Sequence, residues 1–137
     1  MFNKVLVPVD GSIASMKAVE TARKLVEEGS AREVSLLYVV QASDVVAVNA
    51  PEIYDDPTVI AKQVLEKASK VMGNQIPAVL LLEAGMPADV ICRIARKDDY
   101  DLIIIGNRGL NRIKRVLLGS ISSKVVAAAH CPVLVVK

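Results

Sequence analysis

Along the chain, runs of apolar and β-branched residues alternate with stretches in which apolar positions recur every three or four residues. The first pattern is that of buried strands and the second that of amphipathic helices. Residues 2–9 form a short apolar run that stops at Asp10-Gly11, and they predict strand one. Ser12 then stands as an N-cap, and Ala18, Val19, Ala22, Leu25 and Val26 mark one face of a first helix, with Gly29 where a helix commonly ends. Residues 33–40, EVSLLYVV, predict strand two. A long connector covers 41–56 and contains Pro51. Asp56-Pro57 is an N-cap followed by proline at the first helical position, and Val59, Ile60, Val64, Ala68, Val71 and Met72 form the stripe of a second helix that Gly73 closes. Residues 78–82 predict strand three, and Gly85-Met86-Pro87 turns the chain into a short third helix through Val90, Ile91, Ile94 and Ala95. Residues 101–106, DLIIIG, predict strand four, whose wholly apolar centre implies burial on both faces. A fourth helix over about 120–129 and a fifth strand over 132–136 complete the series.

Strands alternating with helices in this way imply an α/β fold, a doubly wound, mostly parallel five-stranded sheet with helices on both faces. The expectation is one domain over residues 1–137, a length at which roughly two thirds of the unfolded surface is buried. Ligands of such sheets sit beyond the carboxyl ends of the strands, where the strand order reverses. The residues that follow strands one and four are therefore the ones to read for chemistry.

Composition narrows that chemistry. His130, Cys131 and the distant Cys92 are the whole supply of His and Cys, too few for a zinc cluster of three or four such ligands. Phe2, Tyr38, Tyr54 and Tyr100 are too few and too scattered for the platforms on which single-stranded nucleic acid stacks, so no nucleic-acid partner is expected. Two cysteines without a framework point to a reducing compartment. The amino-terminal apolar run is short, carries Lys4 and meets Pro8 and Asp10, unlike a signal peptide. The longest apolar stretch, 125–136, is broken by His130 and Pro132 and falls short of the ~20 residues of a membrane span. A soluble cytoplasmic protein with no membrane partner is the expectation.

The net charge of +2 conceals an asymmetry. After residue 101 there are six basic residues, Arg108, Arg112, Lys114, Arg115, Lys124 and Lys137, and no acidic one; all 15 acidic side chains precede them. Such a division marks either a site for an anionic partner or a solvated basic surface. Three of the seven glycines fall in the same region, spaced Gly106-x2-Gly109-x9-Gly119 and followed directly by Ser120. Glycines at a strand end let backbone amides approach an anion, and the start of helix four offers free amides and a positive dipole end to a phosphate. The hydroxyls of Ser120 and Ser122 would add donors. The same residues also read as ordinary turn glycines and an ordinary helix cap, and sequence pattern leaves both readings open. Other phosphate loops are excluded: no G-x-x-x-x-G-K-[ST] occurs, and strand one is followed by Asp10-Gly11-Ser12-Ile13-Ala14-Ser15 rather than G-x-G-x-x-G.

Over essentially its whole length the chain resembles the universal stress proteins, in their ATP-binding branch. The resemblance is carried by Pro8-Val9-Asp10-Gly11-Ser12, by the end of strand two at Tyr38-Val39-Val40, by the glycine spacing from Gly106 through Gly119-Ser120, and by the closing Cys131-Pro132-Val133-Leu134-Val135-Val136. It implies strand order 3-2-1-4-5. It further implies that Pro8, Val9, Asp10 and Val39 surround adenine and ribose, that Gly106, Asn107, Arg108 and Gly109 line the ribose and phosphate approach, and that Gly119, Ser120, Ile121 and Ser122 hold the phosphates. The implied ligand is ATP, with ADP or AMP as alternatives and Mg or Mn accompanying the triphosphate; Asp10 would either hydrogen-bond the ribose or help hold the metal through water, with no direct metal ligand implied. Asn107 departs from the family pattern, where a small hydroxyl residue is common, but it retains a donor. A homodimer through the carboxyl-terminal strand is also implied, covering an edge otherwise open to aggregation.

Candidates for catalysis are poor. Asp10 is the one carboxylate expected at the edge of the site, and hydrolysis needs a group that orients water as well as charge stabilisation of the phosphoryl group. His130 and Cys131 are neighbours in an extended segment and point to opposite faces, so no catalytic pair is expected. Cys92 reads as a small buried apolar residue of helix three. The connector 41–56 either packs over the sheet edge or forms a lid or partner surface near the adenine end. The expected function is an ATP-binding switch or sensor in stress response with little hydrolysis. The alternatives are a slow ATPase or phosphotransfer enzyme using the same pocket, and an interaction module without nucleotide. A response-regulator receiver shares the sheet type but lacks its acceptor aspartate at Leu82-Glu83.

Overall fold

The structure, a computed structural model, describes residues 1–41, 56–108 and 119–137. Among them, β1 (Phe2–Pro8), α1 (Ile13–Glu27), β2 (Ala31–Val40), α2 (Pro57–Met72), β3 (Ala78–Ala84), α3 (Pro87–Lys97), β4 (Leu102–Gly106), α4 (Ser120–Ala128) and β5 (Val133–Val136) follow one another. The order of types is as expected. β2 begins two residues earlier than its apolar run and β3 extends two residues beyond its own, because pairing with a neighbour holds Ala31, Arg32, Glu83 and Ala84 extended where polarity gave no signal. The connector expectation, apart from its ends Gln41 and Asp56, lies outside the described residues, as do Gly109, Arg112, Lys114 and Arg115.

The five strands form one sheet in the order β3-β2-β1-β4-β5, every neighbouring pair parallel. It is the doubly wound α/β architecture, and the period of two along each strand shows how it is covered. Val5, Val7, Val34, Leu36, Leu102 and Ile104 share one buried cluster with Ala18, Val19 and Ala22 of α1 and Leu65, Ala68 and Met72 of α2. Leu6, Leu37, Ile103 and Ile105 point the other way, into a cluster with Val90, Ile91, Ile94 and Ala95 of α3 and Val125 of α4. Every residue of β4 is buried, as its sequence predicts for a strand covered on both faces. Each such side chain is worth about 1.5–3 kcal/mol relative to exposure.

The pairing of β1 with β4 is the topological switch, and polar groups pin its amino end. The Asp101 carboxylate accepts hydrogen bonds from the backbone N–H groups of Asn3 (2.8 Å) and Lys4 (3.0 Å), while the Asp101 N–H donates to the Lys4 carbonyl. Lys4 Nζ donates to the Asp98 carbonyl and lies 4.6 Å from the ring centroid of Tyr100. The Tyr100 hydroxyl is buried and donates to Ser35 Oγ at 2.8 Å. The contacts of Asn3 and Lys4 join residues 94 to 98 apart and hold β1 and β4 level, so that their carboxyl ends open side by side.

Candidate functional site

Two loops leave those carboxyl ends. After β1, the chain turns at Asp10-Gly11, where Gly11 has φ +89°, a conformation that favours glycine. Asp10 Oδ1 accepts from the Ser12 N–H at 2.9 Å, closing the turn. Ser12 caps α1: its Oγ accepts from the Ser15 N–H at 3.1 Å. Ser15 answers by donating its own Oγ to the Ser12 carbonyl at 2.9 Å. Both serines are buried.

The second loop leaves β4 at Gly106, and its two described ends are tied together. The Asn107 N–H donates to the Val136 carbonyl at 2.7 Å, extending the ladder with β5. The Asn107 carbonyl accepts from the Gly119 N–H and also from Ser122 Oγ, the latter at 2.9 Å. Ser122 Oγ is shared with the Gly119 carbonyl at 3.1 Å, and the side chain is 2% exposed. The expectation that the Ser122 hydroxyl faces a phosphate therefore differs from what is found, since this one proton is engaged in closing the mouth of the loop. A buried hydroxyl finds the nearest carbonyls because leaving it unpaired costs about 1–3 kcal/mol.

α4 begins at this mouth. Gly119 is its N-cap, with no side-chain hydrogen bond to the first turn, whereas Ser12 and Asp56 cap α1 and α2 with their side chains. The first-turn amides of Ser120, Ile121 and Ser122 thus lack a side-chain partner at the positive end of the helix dipole. Ser120 is exposed, and Ile121 half-buried.

A bridge joins the two loops. Ser12 Oγ lies 3.5 Å from the Arg108 carbonyl, at the outer limit of a hydrogen bond, and is oriented to donate to it. The tertiary fold thereby brings Asp10, Asn107, Arg108, Gly119 and Ser122 into one neighbourhood. Val9 is buried and extends β1, its N–H donating to the Leu37 carbonyl at 2.8 Å. Pro8, the last residue of β1, stands beside Leu37, and Val39 is half-buried at the end of β2, opposite Glu83. Gly109 lies outside the described residues.

Gly106 has a second, unanticipated reason to be glycine. A Cβ built there would stand 2.7 Å from the Ala14 carbonyl carbon, 2.9 Å from Ala14 Cβ and 2.9 Å from the Ser15 N. The first turn of α1 occupies that space. Gly119 is tight as well, its Cβ position 3.0 Å from the Asn107 carbonyl oxygen. Sequence reasoning missed Ser15 altogether and took Ser12 for a cap alone. A hydroxyl three residues after a serine N-cap, the spacing of a capping box, was the available signal.

The groups present fit a phosphate-bearing ligand: free helix amides as donors, backbone held close by glycines, and one carboxylate acceptor, Asp10, at the neighbouring loop. Asp10 Oδ1 is engaged by Ser12, which leaves Oδ2 for a ribose hydroxyl or for water on a cation. Among the described residues no three His, Cys, Asp or Glu side chains gather as a metal site. His130 is exposed just beyond α4, and Cys131 is half-buried. Cys92 is half-buried rather than fully enclosed. Burial raises both thiols above their ordinary range, with the Asp89 carboxylate adding to the effect at Cys92 and Asp101 at Cys131. Among the described residues no helix is long and apolar enough to cross a membrane.

Many known proteins resemble this chain in sequence or fold. The chain is 35% identical over 144 residues to the universal stress protein MJ0531 of Methanocaldococcus jannaschii, covering 100% of this chain and 83% of that protein. Its fold matches the solved structure of MJ0577, from the same organism, with a TM-score of 0.83 at 30% identity, covering 98% of this chain and 94% of the other. It also matches a universal stress protein solved in complex with cAMP, with a TM-score of 0.73 at 24% identity over 98% and 96% of the two chains. The family model for the universal stress protein family matches residues 1–137 in full, and the chain belongs to that family.

Proposed function

We propose that this protein binds an adenine nucleotide, ATP foremost, between the loops that follow β1 and β4, and that it acts as a nucleotide-dependent switch or sensor in stress response. The observation that carries the reading is the uncapped start of α4, held at the carboxyl end of β4 by the Asn107 carbonyl and linked through Ser12 to the loop bearing Asp10. In this reading the amides of Ser120, Ile121 and Ser122 hold the phosphates, and Gly119, whose own N–H is engaged by the Asn107 carbonyl, lets the backbone approach them. Gly106, Asn107, Arg108 and Gly109 line the approach, while Pro8, Val9, Asp10 and Val39 enclose adenine and ribose. Ser122 contributes its amide, since its hydroxyl is committed to the loop. Mg or Mn would accompany the triphosphate, with Asp10 reaching it through water. The relative held with cAMP supports an adenine nucleotide through its fold alone. A cytoplasmic location, a single domain and a homodimer through the outer edge of β5 belong to the same reading.

The test is to denature the purified protein, identify any nucleotide released, and titrate the nucleotide-free protein calorimetrically with ATP, ADP and AMP. Binding of ATP is expected. No released nucleotide and no heat even at millimolar ATP would overturn the proposal. Replacement of Gly109 by Val is expected to abolish binding by filling the phosphate approach.

A further inference from the structure

One stripe of α1 is buried, Ser15, Ala18, Val19 and Ala22, and Ser15 is its one polar member, 4% exposed. The helix itself does not need the hydroxyl. Ser12 supplies the cap, because its Oγ accepts the Ser15 N–H, and the Ser12 carbonyl already accepts the first helical hydrogen bond, from the Met16 N–H at 3.1 Å. Alanine fills the stripe at positions 18 and 22 and favours a helix more than serine does. A serine that bonds back to a carbonyl of the preceding turn slightly weakens a helix. The oxygen at position 15 therefore has its reason outside α1.

That reason is the turn between β1 and α1. The Val9 N–H still donates to the Leu37 carbonyl, but the next one, on Asp10, has left the ladder and donates to Ser15 Oγ at 3.4 Å, near the outer limit of a hydrogen bond. The same Oγ donates its proton to the Ser12 carbonyl at 2.9 Å. Between these two anchors lies Gly11 at φ +89°, the residue type with the widest choice of backbone angles. The Ser15 side chain thus spans the pivot of the turn. Asp10 Oδ1 is tied to the Ser12 N–H across the same glycine, so the direction of its free oxygen, Oδ2, follows the backbone that Ser15 braces. The link from Ser12 Oγ to the Arg108 carbonyl is a separate matter, since Ser12 Oγ is held by the Ser15 N–H, which any residue but proline supplies. We propose, on the nucleotide-binding reading given above, that Ser15 is a positioning residue of the site: its hydroxyl braces the turn across Gly11 and so aims Asp10 Oδ2 at the ligand, without touching the ligand itself.

The test compares the full chain with Ser15→Ala, Asp10→Asn and the double variant. Asparagine at position 10 keeps an oxygen to close the turn on the Ser12 N–H and removes the charge. All four proteins are unfolded in urea and titrated calorimetrically with ATP, and exchange of the Asp10 N–H is followed by NMR without nucleotide. S15A is expected to keep the parent's urea midpoint or exceed it, and to exchange the Asp10 N–H faster. Its ATP affinity is expected to fall about five-fold or more, within the range of coupling in one hydrogen-bond network. In the D10N background the same change is expected to move affinity by less than about two-fold, because a brace acts only through what it holds. Three results would sink the proposal: parental ATP affinity in S15A, an equal loss with and without D10N, or unchanged exchange of the Asp10 N–H. Each of them leaves ATP binding by the parent intact, whereas a parent that binds no ATP removes the nucleotide reading and the positioning role together. Should S15A fail to fold, Ser15→Cys, whose thiol is a weak donor and acceptor, takes its place in the cycle.

Discussion

An added Cβ at Gly106 would meet three atoms of α1 at 2.7–2.9 Å, two of them backbone and the third the Cβ of Ala14. None can swing aside, so Gly106→Ala must displace the helix or the strand. The expected cost is about 1–3 kcal/mol, the usual range for overpacking, read as a lower urea midpoint. A midpoint equal to the parent's would mean that α1 yields freely. The glycine was legible as special in the sequence, but the partner that makes it so, Ala14, lies 92 residues away and left no mark beside it. The thiols give a second test at this scale. Because burial raises both, the thiolate fraction at a given mildly alkaline pH is smaller in the folded chain than in the unfolded one. Iodoacetamide is expected to label the native protein more slowly than the denatured protein, and equal rates would contradict the burial.

Helix starts were the most legible elements, because a cap is a contact between residues two or three apart. Ser12 and Asp56 were identified from sequence, and both accept the expected amide hydrogen bonds. What could not be read was that Ser12 also reaches across to Arg108, a contact 96 residues long. Ser12→Ala removes both functions. The cap alone is worth about 1 kcal/mol, and untying the loop after β4 is expected to weaken ATP binding in addition. Denaturation and calorimetric titration of this variant separate the two effects: lost stability with unchanged affinity would show that the bridge does not position the loop. Strand ends were less legible than caps. Arg32 and Glu83 are exposed and polar, and a ladder with β1 or β2, not their own hydrophobicity, keeps them extended.

At the scale of the whole molecule, charged side chains are plentiful, but few acids or bases reach the described residues of the two loops, and that bears on what the proposed site can do. Asp10 is the one carboxylate placed by the described loops at the switch point, and one of its oxygens is committed to Ser12. Without a second acid or a base beside it, ATP turnover is expected to stay below the ~1 per second at which ordinary enzymes begin, measured as time-resolved phosphate release. A faster rate would favour the reading as an ATPase or phosphotransfer enzyme. By itself the sequence determined the elements and their succession, the two-faced burial of β4, the helix caps and the glycine-rich region after β4. All of these follow from periodicity and from contacts between near neighbours. The strand order 3-2-1-4-5 was reached through likeness to a family, since periodicity does not say which strand lies beside which. Only the tertiary structure decided that the loops after β1 and β4 meet through Ser12 and Arg108, that α1 fills the space beside Gly106, and that the Ser122 hydroxyl closes a loop. Such contacts join residues far apart in the chain, and they form because burying both faces of one sheet brings those segments together.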